Sequence, residues 1–227
     1  MKCRSTTAAR PARRSRSRFR CLAPAALCCA LCLPSVGCRS VAIPEEHYYR
    51  LDLGALPAVA DAHKPPAGVL RVEGFDVAAS LSTDRLLVAS TPVQLRAYEF
   101  HRWLNPLGQL VRDAVVTGLS RTGAFAEVKS PTDAPGEDWS LSGRIVDFHQ
   151  VVHQGGGWAA RVTMRLRLWS PARGALLLQQ ELSRQVPVNG SEPAALAAAL
   201  SEALVQVLQG FAEKCVQARV FAVPGPR

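Results

Sequence analysis

The sequence predicts an α+β domain in which a mostly antiparallel sheet carries two amphipathic helices packed on one face. Residues 106–119 and 191–215 repeat apolar side chains at helical spacing, which predicts the two helices. Residues 158–169 alternate between apolar and polar side chains, which is typical of a strand with one buried face. Because strands precede each helix along the chain, a single sheet covered by both helices is the expected architecture.

The first half of the chain holds short predicted strands and the first helix. Pro, Ala and Gly predict a loop at residues 54–68, and the polar-aromatic segment Glu99–Trp103 predicts a turn before the helix. Asn105 is suited to cap this helix, and Pro106 suits its first position because it lacks an N–H. The strands are expected at residues 48–53, 69–75, 86–88 and 93–98, and the helical stripe comprises Leu107, Leu110, Val111, Ala114, Val115 and Leu119.

The second half is predicted to be a meander of long strands followed by the second helix. Gly155–Gly157 lies between two strands, so it predicts a hairpin loop and not a phosphate-binding loop, which would lead into a helix. Ser191 is the expected cap of the second helix. The strands are expected at residues 125–128, 139–152, 158–169 and 175–186, and the stripe of the last helix comprises Leu196, Leu200, Leu204, Val207, Leu208, Phe211 and Cys215.

The net charge of +9 suggests nucleic-acid binding until the charges are located. Eight basic residues lie within the first 20 positions, and no acidic residue precedes Glu45. Without those eight, 19 basic residues remain against 18 acidic ones, so the rest of the chain is nearly neutral. The charge therefore belongs to an N-terminal leader, and no nucleic-acid partner is predicted.

The leader has the layout of a secretory signal, with an apolar run from Cys21 to Gly37 after the basic segment. This run is interrupted by Pro24 and Pro34 and is shorter than the roughly 20 apolar residues of a spanning helix. Residues 35–38, Ser-Val-Gly-Cys, resemble the bacterial lipobox, so Cys38 is predicted to be lipidated. A membrane anchor that is never cleaved is the alternative.

No motif for catalysis or cofactor binding stands out, and six of the seven cysteines lie in or at the end of the leader. Asp147 and His149 are expected on one strand face, but no further ligand completes a metal set. His101 is expected to pack or to bond Glu99, and Cys215 falls on an apolar helix stripe. We therefore predict a non-enzymatic protein without a cofactor, whose function depends on docking.

Two clusters are candidates for docking a partner. The predicted turn combines aromatic and arginine side chains, which are favoured interface anchors, although its aromatic residues could equally cover the core edge. A row of arginines follows the polar face of one strand, and a solvated face with Glu181 across the hairpin is its alternative. The candidates are Glu99, Phe100, Arg102 and Trp103 in the turn, and Arg161, Arg165 and Arg167 in the row.

The order of these features resembles the ABC-type transport auxiliary lipoprotein family (PqiC-like proteins) from about Tyr48 to Cys215. The resemblance rests on the order of four segments: Tyr48–Leu51, Asp84–Leu87, Tyr98–Trp103 with the helix after it, and Trp139–Phe148. A long hairpin and a C-terminal helix follow the last of them. It implies a periplasm-facing lipoprotein that works with a mammalian-cell-entry-type substrate-binding protein, a permease and a separate ATPase. Such systems move phospholipid between the two membranes and support outer-membrane integrity.

This resemblance completes the expected organisation of the chain. Residues 1–37 form a signal peptide, 38–46 the lipidated cysteine and tether, 47–219 the domain, and 220–227 a flexible tail. Arg39, where family members retained at the inner membrane often carry Asp, favours the outer membrane. A structural or assembly lipoprotein of an outer-membrane machine is the second hypothesis, and a lipoprotein hydrolase is the third. The transported substrate and the oligomeric state stay open, with a homo-oligomer as one option.

Overall fold

A computed structural model describes residues 44–54, 68–152 and 156–217. The predictions for the signal peptide, for Cys38, for most of the loop after Gly54 and for the C-terminal tail lie outside these residues. The described first half contains β1 (His47–Tyr49), β2 (Val69–Val77), a short 3-10 helix (Ala79–Leu81), β3 (Arg85–Thr91), β4 (Gln94–Trp103) and α1 (Leu107–Thr122). The second half contains β5 (Glu127–Lys129), β6 (Trp139–Val152), β7 (Trp158–Ser170), β8 (Ala175–Pro187) and α2 (Pro193–Gln217).

The sheet is mixed, which corrects the expectation of a mostly antiparallel one. Antiparallel pairing joins β3 to β4, β6 to β7, and β7 to β8, which are consecutive along the chain. The pairs β1–β4, β2–β5, β2–β6 and β3–β6 are parallel, so four of the seven pairings among the described residues are parallel. Side-chain alternation identifies the buried face of a strand but not its direction relative to neighbours, so the sequence pattern could not reveal this.

The central strand is β6, and it holds the two parts of the sheet together. Its first half pairs with β2, its second half meets β3 at Val88 and Gln150, and its other edge pairs with β7 along its length. Strand β6 needs a glycine at position 143, because residues of β7 and β2 approach its backbone closely there. A Cβ on Gly143 would lie 2.7 Å from the carbonyl oxygen of Arg165 and 2.8 Å from the Phe75 ring.

Both helices cover one face of this sheet, as predicted. Helix α1 packs on β2 and β5, α2 packs on β6, β7 and β8, and the two helices contact each other. In β7 the side chains beneath α2 are fully buried, whereas Arg165 and Arg167 on the opposite face are exposed. The predicted alternation is therefore confirmed except at Trp158, which is 42% exposed at the start of the strand, and at Thr163, which is buried on the polar face. The buried row comprises Ala160, Val162, Met164, Leu166 and Leu168.

Proline and glycine, rather than the expected side-chain caps, mark the described helix ends. Pro106 is the N-cap of α1 and no side chain caps it, so the expected cap at Asn105 is wrong. Gly123 ends α1 with φ of 67°, a left-handed conformation that glycine adopts without strain. Helix α2 begins at Pro193, where Glu192 and not Ser191 immediately precedes it. Proline is well suited to this first position because no intrahelical partner exists for an N–H there.

Helix α2 is long and apolar enough to cross a membrane by length and composition alone. Its packing shows a different role, because 61% of its most apolar window is buried inside the protein. The residues of its predicted stripe are all buried, and α2 lies against three strands. Helix α2 is therefore the core helix of this domain.

Candidate functional site

The segment Glu99–Trp103, the first docking candidate, belongs to strand β4, so the expected turn is wrong. Strand β4 continues through Trp103, because Arg102 pairs with Arg85 of β3 and the last three residues of β4 pair with β1. Trp103 is only 4% exposed and meets Phe148 edge-on, with ring centroids 5.6 Å apart. Trp103 is therefore a core residue, while Glu99 stays exposed and Phe100 is half-buried.

Arg102 lies between two carboxylates, and its ion pairs fix the N-terminal start of the domain to β3 and β4. Its Nε donates to Glu46 Oε1 at 2.9 Å, and its Nη1 donates to Asp84 Oδ2 at 2.8 Å. The Tyr48 hydroxyl donates to the second oxygen of Glu46 at 2.6 Å. Hydrogen bonds from Tyr48 and then from Arg102 lower the pKa of Glu46, and the Asp84 bond raises the pKa of Arg102. Arg102 is thus neutralised within the chain, which weakens its case as a docking charge.

His101 lies in an aromatic cluster, so the expected packing role is confirmed and the alternative hydrogen bond to Glu99 is not formed. Its Nδ1 is 2.9 Å from the Tyr49 hydroxyl. The His47 ring stacks on it at 5.0 Å, and the Tyr98 ring meets it edge-on at 5.6 Å. Burial, and then the neighbouring His47, lower the pKa of His101 below its ordinary 6.5.

We expect acidification to destabilise the domain through His101. The folded protein binds fewer protons at this ring than the unfolded chain does, since the folded pKa lies below 6.5. This stabilisation is complete above the unfolded pKa and is lost as the pH falls from 6.5 towards the lowered folded value. Urea unfolding between about pH 8 and about pH 5 should show a smaller loss of stability for His101→Gln than for the wild type. An identical pH dependence in both proteins would contradict this.

The arginine row has partners on the neighbouring strand, as its alternative interpretation predicted. Arg165 lies opposite Glu181, and its Nη2 donates to the carboxylate at 2.7 Å. With the Gln185 amide oxygen turned towards Arg161, the Nε and Nη2 of Arg161 donate to it at 3.2 and 3.0 Å. Within the described parts of the chain, Arg167 forms no ion pair. The charge of this row is therefore only partly compensated: Arg165 has a carboxylate partner, whereas Arg167 has none among the described residues.

A groove of about 700 Å³ opens beside this row, between the β3–β4 hairpin and the ends of β6 and β7. Asp147, His149 and Arg161 lie on its wall. The His149 Nε2 is 3.3 Å from Asp147 Oδ1, which confirms that these two residues share a face, and its Nδ1 is 3.2 Å from the Gln150 carbonyl. The hydrogen bond from His149 lowers the pKa of Asp147.

A known protein-family model, described as the ABC-type transport auxiliary lipoprotein component, matches residues 49–212. The chain belongs to this family. The match covers most of the chain and nearly all of the described domain, and it agrees with the resemblance found from Tyr48 to Cys215. No curated protein matches this auxiliary lipoprotein.

Two solved structures share the fold of this auxiliary lipoprotein. A Xanthomonas campestris protein assigned to DUF330 is 21% identical, with a TM-score of 0.65 over 76% of this chain and 95% of its own. A protein described as uncharacterized is 19% identical, with a TM-score of 0.59 over 75% of this chain and 99% of its own. At these identities the similarity concerns the fold alone.

The groove beside the arginine row brings a serine near the Asp147–His149 pair, which reopens the hydrolase hypothesis for this auxiliary lipoprotein. Ser90 lies on the same wall, but its hydroxyl donates to Gln94 Oε1 at 3.0 Å. Both ring nitrogens of His149 already face oxygen atoms, so neither is placed to accept a proton from Ser90. The arrangement does not form a nucleophile–base pair.

The cysteine of α2 in this auxiliary lipoprotein is equally unsuited to nucleophilic chemistry. Cys215 is fully buried, and burial raises the pKa of its thiol to about 12. A thiol in that state carries almost no thiolate at neutral pH. Among the described residues, no group of three potential ligands could hold a metal ion.

Sequence reasoning missed the link from Glu46 through Arg102 to Asp84, because its members are distant along the chain.

Proposed function

We propose that this protein is a non-catalytic docking subunit of an ABC-type transport system in the cell envelope. Its partners are a mammalian-cell-entry-type substrate-binding protein, a permease and a separate ATPase. The system moves phospholipid or another lipid between the inner and outer membranes and so supports outer-membrane integrity. The family match over residues 49–212 is the observation that carries this proposal.

The proposed organisation places the folded domain on a lipid anchor. Residues 1–37 are removed as a signal peptide, and Cys38 becomes the lipidated N-terminus. The tether ends at residue 46, the domain covers residues 47–219, and residues 220–227 form a flexible tail. The domain faces the periplasm, and Arg39 after the anchor favours the outer membrane.

The open face of the sheet is the proposed docking surface. The helices cover the other face, so in the row Arg161, Arg165 and Arg167 the last two are exposed and Arg161 is half-buried. Arg165 is compensated by Glu181 across the strand pair, whereas Arg167 carries an exposed charge without an ion pair among the described residues. A surface of this kind suits an acidic patch on a partner, because complementary charge accelerates and orients association. Glu99 and Phe100 remain secondary candidates. They lie in β4, which is separated from the β7 row by β3 and β6.

Reversing charge in this row should weaken capture of the substrate-binding protein. The double variant Arg165→Glu and Arg167→Glu should lose affinity, and the loss should be larger at low salt because attraction is screened less there. The measurement is the dissociation constant for the substrate-binding protein encoded beside this chain, at two ionic strengths.

Arg167→Glu alone is the cleaner variant, since Arg165→Glu also places a like charge opposite Glu181. The matched control is Arg50→Glu, because Arg50 is exposed, lies outside the row and, like Arg167, forms no ion pair among the described residues. Undiminished capture by the folded double variant, with full restoration of the outer-membrane barrier in a deletion strain, would show that the row is only a solvated face. Neighbouring genes without an ATPase, a permease and a mammalian-cell-entry protein would favour the assembly lipoprotein instead.

A further inference from the structure

A second groove, of about 520 Å³, lies where β1, the 3-10 helix and the start of α1 converge. Its wall is apolar and firmly built, since Leu81, Trp103 and Leu107 are each no more than 5% exposed. At its edge the side chains of Tyr48 and Leu104 are both 57% exposed. Small-molecule sites typically enclose about 300–1,000 Å³, so the groove is large enough for a ligand.

The N-terminal entry of the domain is fixed at the rim of this groove. Asp84 lines the groove and receives the guanidinium of Arg102 at 2.8 Å. The same guanidinium holds Glu46 at 2.9 Å, and Tyr48, at the groove edge, bonds the other oxygen of Glu46 at 2.6 Å. The tether therefore leaves the domain beside the groove mouth.

The length of the tether brings this mouth close to a membrane. Five residues, 39–43, lie between Cys38 and Pro44, the first described residue. A fully extended chain covers at most about 3.3–3.6 Å per residue, so the six steps from Cys38 to Pro44 span no more than about 22 Å. This step rests on the proposed lipid anchor at Cys38. With the anchor in a bilayer, the groove lies within reach of that bilayer's surface.

We propose that the groove binds one acyl chain of a lipid drawn from the bilayer that holds the anchor. Its buried apolar wall replaces the hydrocarbon that the chain leaves behind, and the exposed Leu104 gains apolar contact. Tyr48 has an apolar ring and a polar hydroxyl, a combination favoured where apolar and hydrated regions meet. The polar rim, which includes Ser82 and Asn105, remains available to a hydrated head group.

The apolar tether residues Val41–Ile43 are the competing occupant within the chain. Folding them into the groove would leave two residues, Arg39 and Ser40, and about 10 Å of extended chain between the anchor and the domain. That arrangement would press the acidic residues Glu45 and Glu46 against the lipid head groups, where phosphates repel them. A bilayer lipid can enter the groove without this cost and without loosening the anchor.

Quenching of tryptophan fluorescence by brominated lipid tests the inference. The lipidated protein is reconstituted into phosphatidylcholine vesicles whose acyl chains carry bromine deep in the bilayer. Bromine quenches only at short range, so a chain must enter the groove to reach Trp103. Subtracting the signal of Trp103→Phe isolates this residue from the other three tryptophans, the buried Trp139 and the exposed Trp158 and Trp169. We expect about half of the Trp103 emission to be lost, because tethering supplies a millimolar effective concentration of lipid.

Leu104→Asp should weaken chain binding by at least about tenfold, because it places a charge against hydrocarbon. Leu176→Asp is the matched control, since Leu176 is similarly exposed, at 48%, in β8. Leu104→Ser replaces Leu104→Asp if near-ultraviolet circular dichroism shows that the aspartate variant is misfolded.

An unquenched Trp103 in the wild type overturns the inference. Quenching that appears only after Val41→Ser and Ile43→Ser assigns the groove to the tether and overturns it equally. Capture of the substrate-binding protein through Arg167 does not involve this groove. Normal capture with an unquenched Trp103 would reject the lipid groove alone, and quenching without capture would reject the transport partnership alone.

Discussion

Truncating Leu204 to alanine should lower the free energy of unfolding by about 2–5 kcal/mol. Leu204 is fully buried near the middle of α2, the helix that packs on β6, β7 and β8. Its removal loses the transfer free energy of the missing atoms and leaves a cavity that the sheet below fills only partly. The effect should appear as a lower midpoint in urea with an unchanged slope, because the exposed surface on unfolding is similar.

Two adjacent positions on α1 supply the matched comparison. Leu110 is buried, at 9% exposure, whereas Gln109 beside it is exposed. Leu110→Ala should therefore cost about 2–5 kcal/mol, towards the lower end, while Gln109→Ala should stay within about 0.5 kcal/mol. Small and equal losses at both positions would show that the buried face of α1 is misassigned.

The helices and the long strands were predictable because their signals are local and repeat many times. In β7 five buried side chains alternate with polar ones, so an error at one position does not change the conclusion. Strand β6 was expected at residues 139–152 and spans those residues. The same alternation predicted that Arg165 would lie near Glu181, since a short turn between β7 and β8 fixes the register of the hairpin.

Strand direction, and the bounds and partners of the short strands, were not predictable from such patterns, although strands were expected at residues 48–53 and 125–128. Strands β1 and β5 have three residues each, and their parallel partners β4 and β2 are distant along the chain. Three residues give too few side chains to reveal a period. Their existence depends on the edges that the rest of the sheet offers them, which is a tertiary effect.

The local structure of the first docking candidate was mispredicted because tertiary contacts override local composition there. The mixed polar and aromatic residues of Glu99–Trp103 suggested a turn, but β1 and β3 hold this segment extended as part of β4. Trp103 then points into the core against Phe148. Arg102 meets Glu46 and Asp84, which lie 56 and 18 residues away, so no local signal could have identified this link.

Replacing Cys38 with alanine should transfer the protein from the membrane fraction to the soluble or precursor pool without unfolding the domain. Each buried methylene of an acyl chain contributes about 0.8 kcal/mol to membrane binding, so losing the whole anchor outweighs any single contact of the domain with a bilayer. The described core runs from Leu53 to Cys215, beyond the substituted position. Membrane fractionation and metabolic labelling with a fatty acid measure the effect.

Cys32→Ala is the matched control for this substitution, because Cys32 lies inside the apolar run of the leader and not at its end. It should remain labelled and membrane-bound, since the lipobox-like residues 35–38 are intact in that variant. The alternative of an uncleaved anchor predicts a different result for Cys38→Ala. In that case the apolar run would still hold the protein, and both variants would stay in the membrane fraction without a fatty-acid label. Unchanged fractionation together with unchanged labelling of Cys38→Ala would therefore reject lipidation at this residue, and with it the geometric link between the anchor and the groove beside Tyr48.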